Sequence, residues 1–282
     1  MPLFARPDGD LVRDLAPIRR MLPFLMRGRN ESVVYHEQVI DLAVTLPFIA
    51  EWNRTHDAKL TLFHLVLAAL ARTFHQRPGL NRFVSNGLVY QRRGCALSFA
   101  AKKSFDDAAP IVSVKLEMPA GEPLEAMLKR FHGAVGDGRA GRERTVDKEM
   151  KLATRVPGFV LRLALAVLGF LDRHNLLPAA MIDPDPMYAS AFAANLGSLG
   201  IDRAWHHLYE YGTCGVFAVV GVAGKSVEVG ADGRPEVRDT LRIRYTFDER
   251  VNDGFYCARS LDLVRQAVER PEILVGASVV SA

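Results

Sequence analysis

Residues 244–274 read RYTFDERVNDGFYCARSLDLVRQAVERPEIL, and this stretch decides the reading of the chain. Its β-branched and aromatic start predicts a strand over Thr240–Tyr245, and the apolar spacing that follows predicts a helix from about Phe255 to Glu269. Strand and helix are joined by a polar turn holding Glu249, Arg250, Asn252, Asp253 and Gly254.

Outward from this unit the chain alternates helices and strands. Helical spacing over Ile18–Met26 leads into VVYHEQVIDLAV at Val33–Val44, rich in β-branched residues. Leu46–Thr55 reads as a short helix and Thr61–His75, TLFHLVLAALARTFH, as a strongly apolar one that Pro78 cannot continue. Asn86-Gly87 accepts the positive φ of a type I′ hairpin turn, and strands follow over Ala96–Lys102 and Ile111–Glu117. Leu124–Val135 is helical, while the charged stretch Gly136–Lys148 reads as a mobile loop. Further strands are expected over Tyr188–Asn195, Gly215–Val222 and Ser226–Val229, with a turn at Ala231–Gly233. Long helices with mostly non-alternating strands predict an α/β sandwich whose sheet is covered by helices on at least one face.

The 282 residues are 49% hydrophobic and 24% charged, which supports one large core and a single domain over 1–282. The net charge of +4 is mild and the basic residues are scattered, which argues against a nucleic-acid partner. Cys95, Cys214 and Cys257 form neither a zinc pattern nor a disulfide framework, so no metal is expected and a reducing, cytoplasmic setting fits. The stretch Val156–Leu171, VPGFVLRLALAVLGFL, falls short of the ~20 residues that span a bilayer and contains Arg162. A core or subunit-contact helix is preferred over a membrane-surface helix, because the stretch lacks a strongly basic polar face.

Four segments, in order, resemble the catalytic domain of the dihydrolipoyl acyltransferase component of 2-oxo acid dehydrogenase complexes. Ile18–Asp41 is similar to its opening helix and strand, and Leu60–Asn81 to its helix ending in RPGLN. FAANLGSLG at Phe192–Gly200 is similar to its NLG turn, followed by the strand Val216–Val222, and Arg244–Leu274 to its DHRxxDG motif and closing helix. The resemblance implies a chloramphenicol-acetyltransferase-like two-layer sandwich with a mixed sheet. It also implies coenzyme A or acyl-CoA as substrate and a homotrimer with active sites between subunits, and it leaves open whether trimers assemble into a larger cage. The family's lipoyl and subunit-binding domains are not seen ahead of residue 18, so a lipoyl group would come from a partner protein.

The chain departs from the family at two places. The signature His-x-x-x-Asp-Gly becomes Glu249-Arg250-Val251-Asn252-Asp253-Gly254, with Glu249 at the position of the base. The family's hydroxyl residue before the NLG asparagine, which stabilises the tetrahedral oxyanion, is Ala194 here; Ser190 and Ser198 sit at the wrong positions. By the resemblance, Asp253 bonds an arginine, for which Arg19 and Arg29 are both candidates, and Gly254 lets the chain turn tightly into the helix. Histidine suits thiol deprotonation because it titrates near ~6.5, whereas an unperturbed glutamate near ~4.3 is a weaker base.

The catalytic candidates are therefore Glu249, Asp253 and His207, with His36, Asn195, Ser198, Asn252 and Gly254 as substrate-binding candidates. His206 and His207 are an unusual pair that would face opposite sides of a strand but could converge on a loop, and structural hydrogen bonding is preferred for them. His36 carries a buried-strand and a channel-lining reading, while His64 and His75 read as core or interface residues. In one reading the chain is an acyltransferase-fold protein whose standard lipoyl transfer is lost or altered, with Glu249 holding a silent pocket through hydrogen bonds or a salt bridge. In another it transfers an acyl group to an unknown acceptor with Glu249 or His207 as base, and in a third it is a non-catalytic trimeric scaffold.

Overall fold

The computed structural model describes residues 4–102, 111–139 and 156–275. The first elements are β1 (Gly9–Leu11), α1 (Pro17–Leu25), β2 (Val33–Asp41), α2 (Thr45–Thr55) and α3 (Leu62–Gln76). They are followed by β3 (Arg82–Ser85), β4 (Leu88–Arg92), β5 (Ala96–Lys102), β6 (Ile111–Glu117) and α4 (Leu124–Arg139). The last part holds α5 (Gly158–Arg173), α6 (Ala179–Ile182), β7 (Ala191–Asn195), β8 (Val216–Val220), β9 (Gly224–Val229), β10 (Pro235–Asp248), α7 (Gly254–Glu269) and α8 (Glu272–Val275).

The main sheet has the order β2-β10-β8-β7-β5-β6, with β9 paired to the first part of β10. It is mixed: β7 runs parallel to both β5 and β8, and the other pairs are antiparallel. One face, carrying Ile40, Ala218, Ile243, Tyr245 and Phe247, is buried under α3, α4 and α7. Helix α3 is apolar nearly all round and sits at the centre of this layer, as such a helix must. It opens with a capping box, Thr61 with His64, and ends before Pro78. On the other face Phe192, Phe217 and Val219 are covered by Leu208 and Cys214 from the segment 201–214. This is the two-layer α/β sandwich expected from the sequence.

One expectation gains detail and three change. The Asn86-Gly87 hairpin has the positive φ values of its turn, 49° and 73°, but β3 and β4 join β1 in a separate three-stranded sheet. Strand β10 is longer than Thr240–Tyr245, since Pro235 opens it where no ladder donor is needed and β9 supplies a partner. Helix α4 continues to Arg139, into the stretch expected as a loop, whose remainder lies outside the described residues. The apolar stretch over Val156–Leu171 forms α5, yet no residue of α5 is buried, so the core reading of it is overturned.

Candidate functional site

Strand β10 ends on Asp248, whose side chain is 1% exposed. Arg250 folds back over it, Nε donating to Oδ1 at 2.9 Å and Nη2 to Oδ2 at 2.7 Å. The remaining nitrogen of Arg250 donates to the carbonyls of Met26 and Arg27, just past α1. Arg29 approaches the same carboxylate from the other side, Nε at 4.0 Å, while its other nitrogens donate to the carbonyls of Tyr209 and Gly212. A buried carboxylate held between two buried guanidiniums fixes where β10 stops.

Glu249 follows directly and is clamped through its backbone. Its N–H donates to the Ser32 carbonyl at 2.9 Å, and its own carbonyl accepts from Arg19 Nη1 at 3.0 Å. Its half-buried side chain has no hydrogen-bond or ion-pair partner among the described residues. Among the described residues, then, the position of Glu249 is set through its backbone and its carboxylate meets no partner.

Asp253 caps α7, Oδ1 accepting from the Tyr256 N–H at 2.7 Å, and its Oδ2 lies 3.9 Å from Arg19 Nη2. Of the two arginines left open by the sequence, Arg19 faces Asp253 and Arg29 faces Asp248. Gly254 does not need its glycine for a tight turn, because a Cβ there meets open space and its φ is ordinary; the extended backbone of Asp253 makes the turn instead. Asn252 accepts from the Asp253 N–H at 3.1 Å and packs against Gly79, where a Cβ would lie 2.5 Å from Asn252 Nδ2. The Gly79 N–H donates to the Tyr256 hydroxyl at 3.1 Å, so RPGLN and the 249–254 turn interlock.

The NLG turn closes on itself. Asn195 Oδ1 accepts from the Ser198 N–H at 3.3 Å, and Ser198 Oγ donates to the Asn195 carbonyl at 2.8 Å. Gly197 lies so close to the Gly221 carbonyl that a Cβ would be 2.1 Å from it. Ala194 packs with the Phe192 and Phe217 cluster, and Ser190 Oγ accepts from the Ala96 N–H at 3.2 Å, joining β5 to the start of β7. Asn195 pairs with Val220 and Val220 with Ile243, six residues before Glu249 along the chain. At ~3.3 Å per residue, Asn195 and Glu249 stand roughly 20 Å apart along the sheet of one chain.

The histidines fall elsewhere. His36 pairs across from Tyr245 on the helix-covered face, and its Nε2 is buried without a hydrogen-bond partner. His36 is half-buried; burial lowers its pKa and Asp262 on α7 opposes this. His206 and His207 lie on the segment between β7 and β8, not on a strand, and their rings stack on one another. His207 Nδ1 bonds the Leu208 carbonyl at 2.8 Å, and His206 stacks on Phe217. Burial pushes the Cys95 and Cys257 thiols up to about 12 and raises that of Cys214, which disfavours thiolate nucleophiles. Among the described residues no group of His, Cys, Asp and Glu could hold a metal ion.

The Asp248–Arg250–Arg29 cluster and the Ser32 carbonyl were not singled out from the sequence. The ion pair forms because the turn after β10 folds Arg250 back over Asp248, which spacing along a strand does not show.

No family model matches the chain, and no curated protein sequence matches it. Solved structures do. A probable dihydrolipoamide acetyltransferase from Listeria monocytogenes superposes with a TM-score of 0.62 at 13% identity, covering 97% of this chain and 98% of that one. The cubic core of a pyruvate dehydrogenase multienzyme complex gives a TM-score of 0.61 at 14% identity, with 93% and 94% covered. A chloramphenicol acetyltransferase gives 0.51 at 10% identity, with 95% and 99% covered. At such identities the likeness is one of fold, and it runs over nearly the full length of each chain.

Proposed function

We propose that this chain, which has the chloramphenicol-acetyltransferase-like fold of dihydrolipoamide acetyltransferase cores, is a coenzyme-A-linked acyltransferase relative in which standard transfer to dihydrolipoamide is lost or altered. The observation that carries the reading is Glu249. It stands in the 249–254 turn where the resemblance puts a histidine, its backbone clamped by Ser32 and Arg19 and its carboxylate unpaired among the described residues. A free carboxylate on a fixed backbone can take a proton once a substrate or a neighbouring subunit lowers its exposure to water.

The separation of Glu249 from Asn195 supports a homotrimer with the site between subunits, Glu249 of one facing the NLG turn of the next. A cage of trimers and a lipoyl-bearing partner protein extend the same proposal. Ala194 favours a second reading, a non-catalytic trimer, since removing one oxyanion donor lowers rates by ~100- to 1,000-fold. The separating experiment pairs a thermal shift with coenzyme A and a thioester-consumption assay on wild type and Glu249→Gln. Consumption that the substitution abolishes supports the altered enzyme. A shift without consumption supports a silent binding site, and neither shift nor consumption removes the coenzyme A proposal.

A further inference from the structure

Helix α5 lies outside all four segments that carry the family resemblance, and among the described residues most of its surface is left uncovered. Its inner side, through Leu168 and Leu171, packs on a small cluster with Leu177, Ile182 and Tyr188. At 100° per residue, Phe159, Leu163, Val167 and Phe170 form one outward stripe, with exposures of 73%, 65%, 48% and 53%. Arg162 and Arg173 fall together along one edge of that stripe, both exposed. Asp172, the acidic residue of α5, turns the other way and bonds Arg6 at 2.8 Å. Beside Arg173 opens a cleft of about 340 Å³ that Arg27, also exposed, lines from the end of α1.

We infer that the outward stripe of α5 docks on an anionic bilayer surface, its apolar side chains entering the acyl boundary and Arg162, Arg173 and Arg27 meeting phosphate headgroups. Charge complementarity selects this occupant: Val156–Leu171 read alone shows only Arg162, but the structure sets Arg173 on the same edge and Arg27 across the adjoining cleft, and the outer half of α5 has no carboxylate to pair with a copy of itself. Burying a few large side chains and meeting lipid charge suffices for an interfacial helix. No helix among the described residues is long and apolar enough to cross a membrane, so the mode is lying on the surface.

The test is sedimentation of the full chain with vesicles of phosphatidylcholine, alone or mixed with an equal part of phosphatidylglycerol. The chain should pellet with the mixed vesicles and not with the neutral ones, and added salt should release it. The double variant Leu163→Asp with Phe170→Asp should lower binding roughly tenfold or more while keeping the melting temperature, because neither side chain is buried in the chain. Arg162→Glu with Arg173→Glu should weaken binding without touching the stripe. Wild type that stays in the supernatant, or an aspartate variant that pellets equally, overturns the inference. So does a fall in molar mass of the aspartate variant by light scattering, which would make the stripe a contact between copies.

Discussion

Arg19 donates from Nη1 to the main-chain carbonyl of Glu249 at 3.0 Å, and its Nη2 lies 3.9 Å from Asp253. One guanidinium on α1 thus spans both ends of the 249–254 turn. Arg19→Met should lower stability to urea by about 1–2 kcal/mol, since a charge-assisted bond is lost but the Asp253 contact is partly exposed and contributes little. If thioester turnover exists, it should fall by more than that stability loss explains, with Arg19→Lys recovering part. Turnover unchanged in Arg19→Met would show that the clamp does not position Glu249.

Asp253 acts on the fold mainly as a helix cap. Asp253→Ala should destabilise by ~1 kcal/mol, whereas Asp253→Asn keeps an acceptor for the Tyr256 N–H and should lie within a few tenths of wild type. Equal losses in the two would mean that the charge toward Arg19, and not the cap, is what matters.

The Asp248 cluster should behave very differently. Its carboxylate is buried with Arg250, and Arg29 is close by. Asp248→Ala strands two buried guanidiniums and should cost about 3–5 kcal/mol in chemical unfolding. A loss below about 1 kcal/mol would mean that water reaches these groups in solution.

Much of this was legible in the sequence, because the fold is written in local signals: the apolar run of α3 with Thr61 before it and Pro78 after it, the Asn86-Gly87 turn, and the strand-turn-helix around Asp253. What was not legible depended on distant partners. Arg19 and Arg29 look alike in sequence, and only the return of β10 beside β2 decides which meets Asp253. Helix α5 was read as a core or subunit-contact helix, because apolarity along a chain says that a helix must be covered, not by what. His36 could line a channel or a core, and the strand register with Tyr245 turns it toward α7.

His64 makes stability depend on pH. Burial, with a smaller contribution from His132, pushes its pKa down to about 4, and its neutral ring accepts from the Thr61 N–H through Nδ1. The unfolded chain, titrating near ~6.5, therefore binds a proton that the folded chain refuses between these values. Stability from this group is complete above about pH 6.5 and falls by up to ~1.4 kcal/mol per unit as pH drops toward 4. His64→Gln keeps a side chain able to complete the capping box but does not titrate, so its urea midpoint should flatten over that window. An unchanged slope would place the proton elsewhere.

The last prediction concerns where the site is assembled. Glu249→His restores a base and Ala194→Ser restores an oxyanion donor, and each acts at a different point on the barrier, so neither alone should give acetyl transfer between coenzyme A and dihydrolipoamide. The double variant should exceed both. Because Glu249 and Asn195 lie roughly 20 Å apart along one sheet, the two restored groups would act together only across a subunit contact. Co-expressing the two single variants should therefore recover activity that neither has alone. With random mixing, roughly one contact in four joins a restored base to a restored donor, so the mixture should reach about a quarter of the activity of the double variant. A mixture as silent as its parents, beside an active double variant, would mean that both groups act within one chain and that the inter-subunit site is wrong. Activity in the Glu249→His chain alone would remove the argument that Ala194 limits transfer.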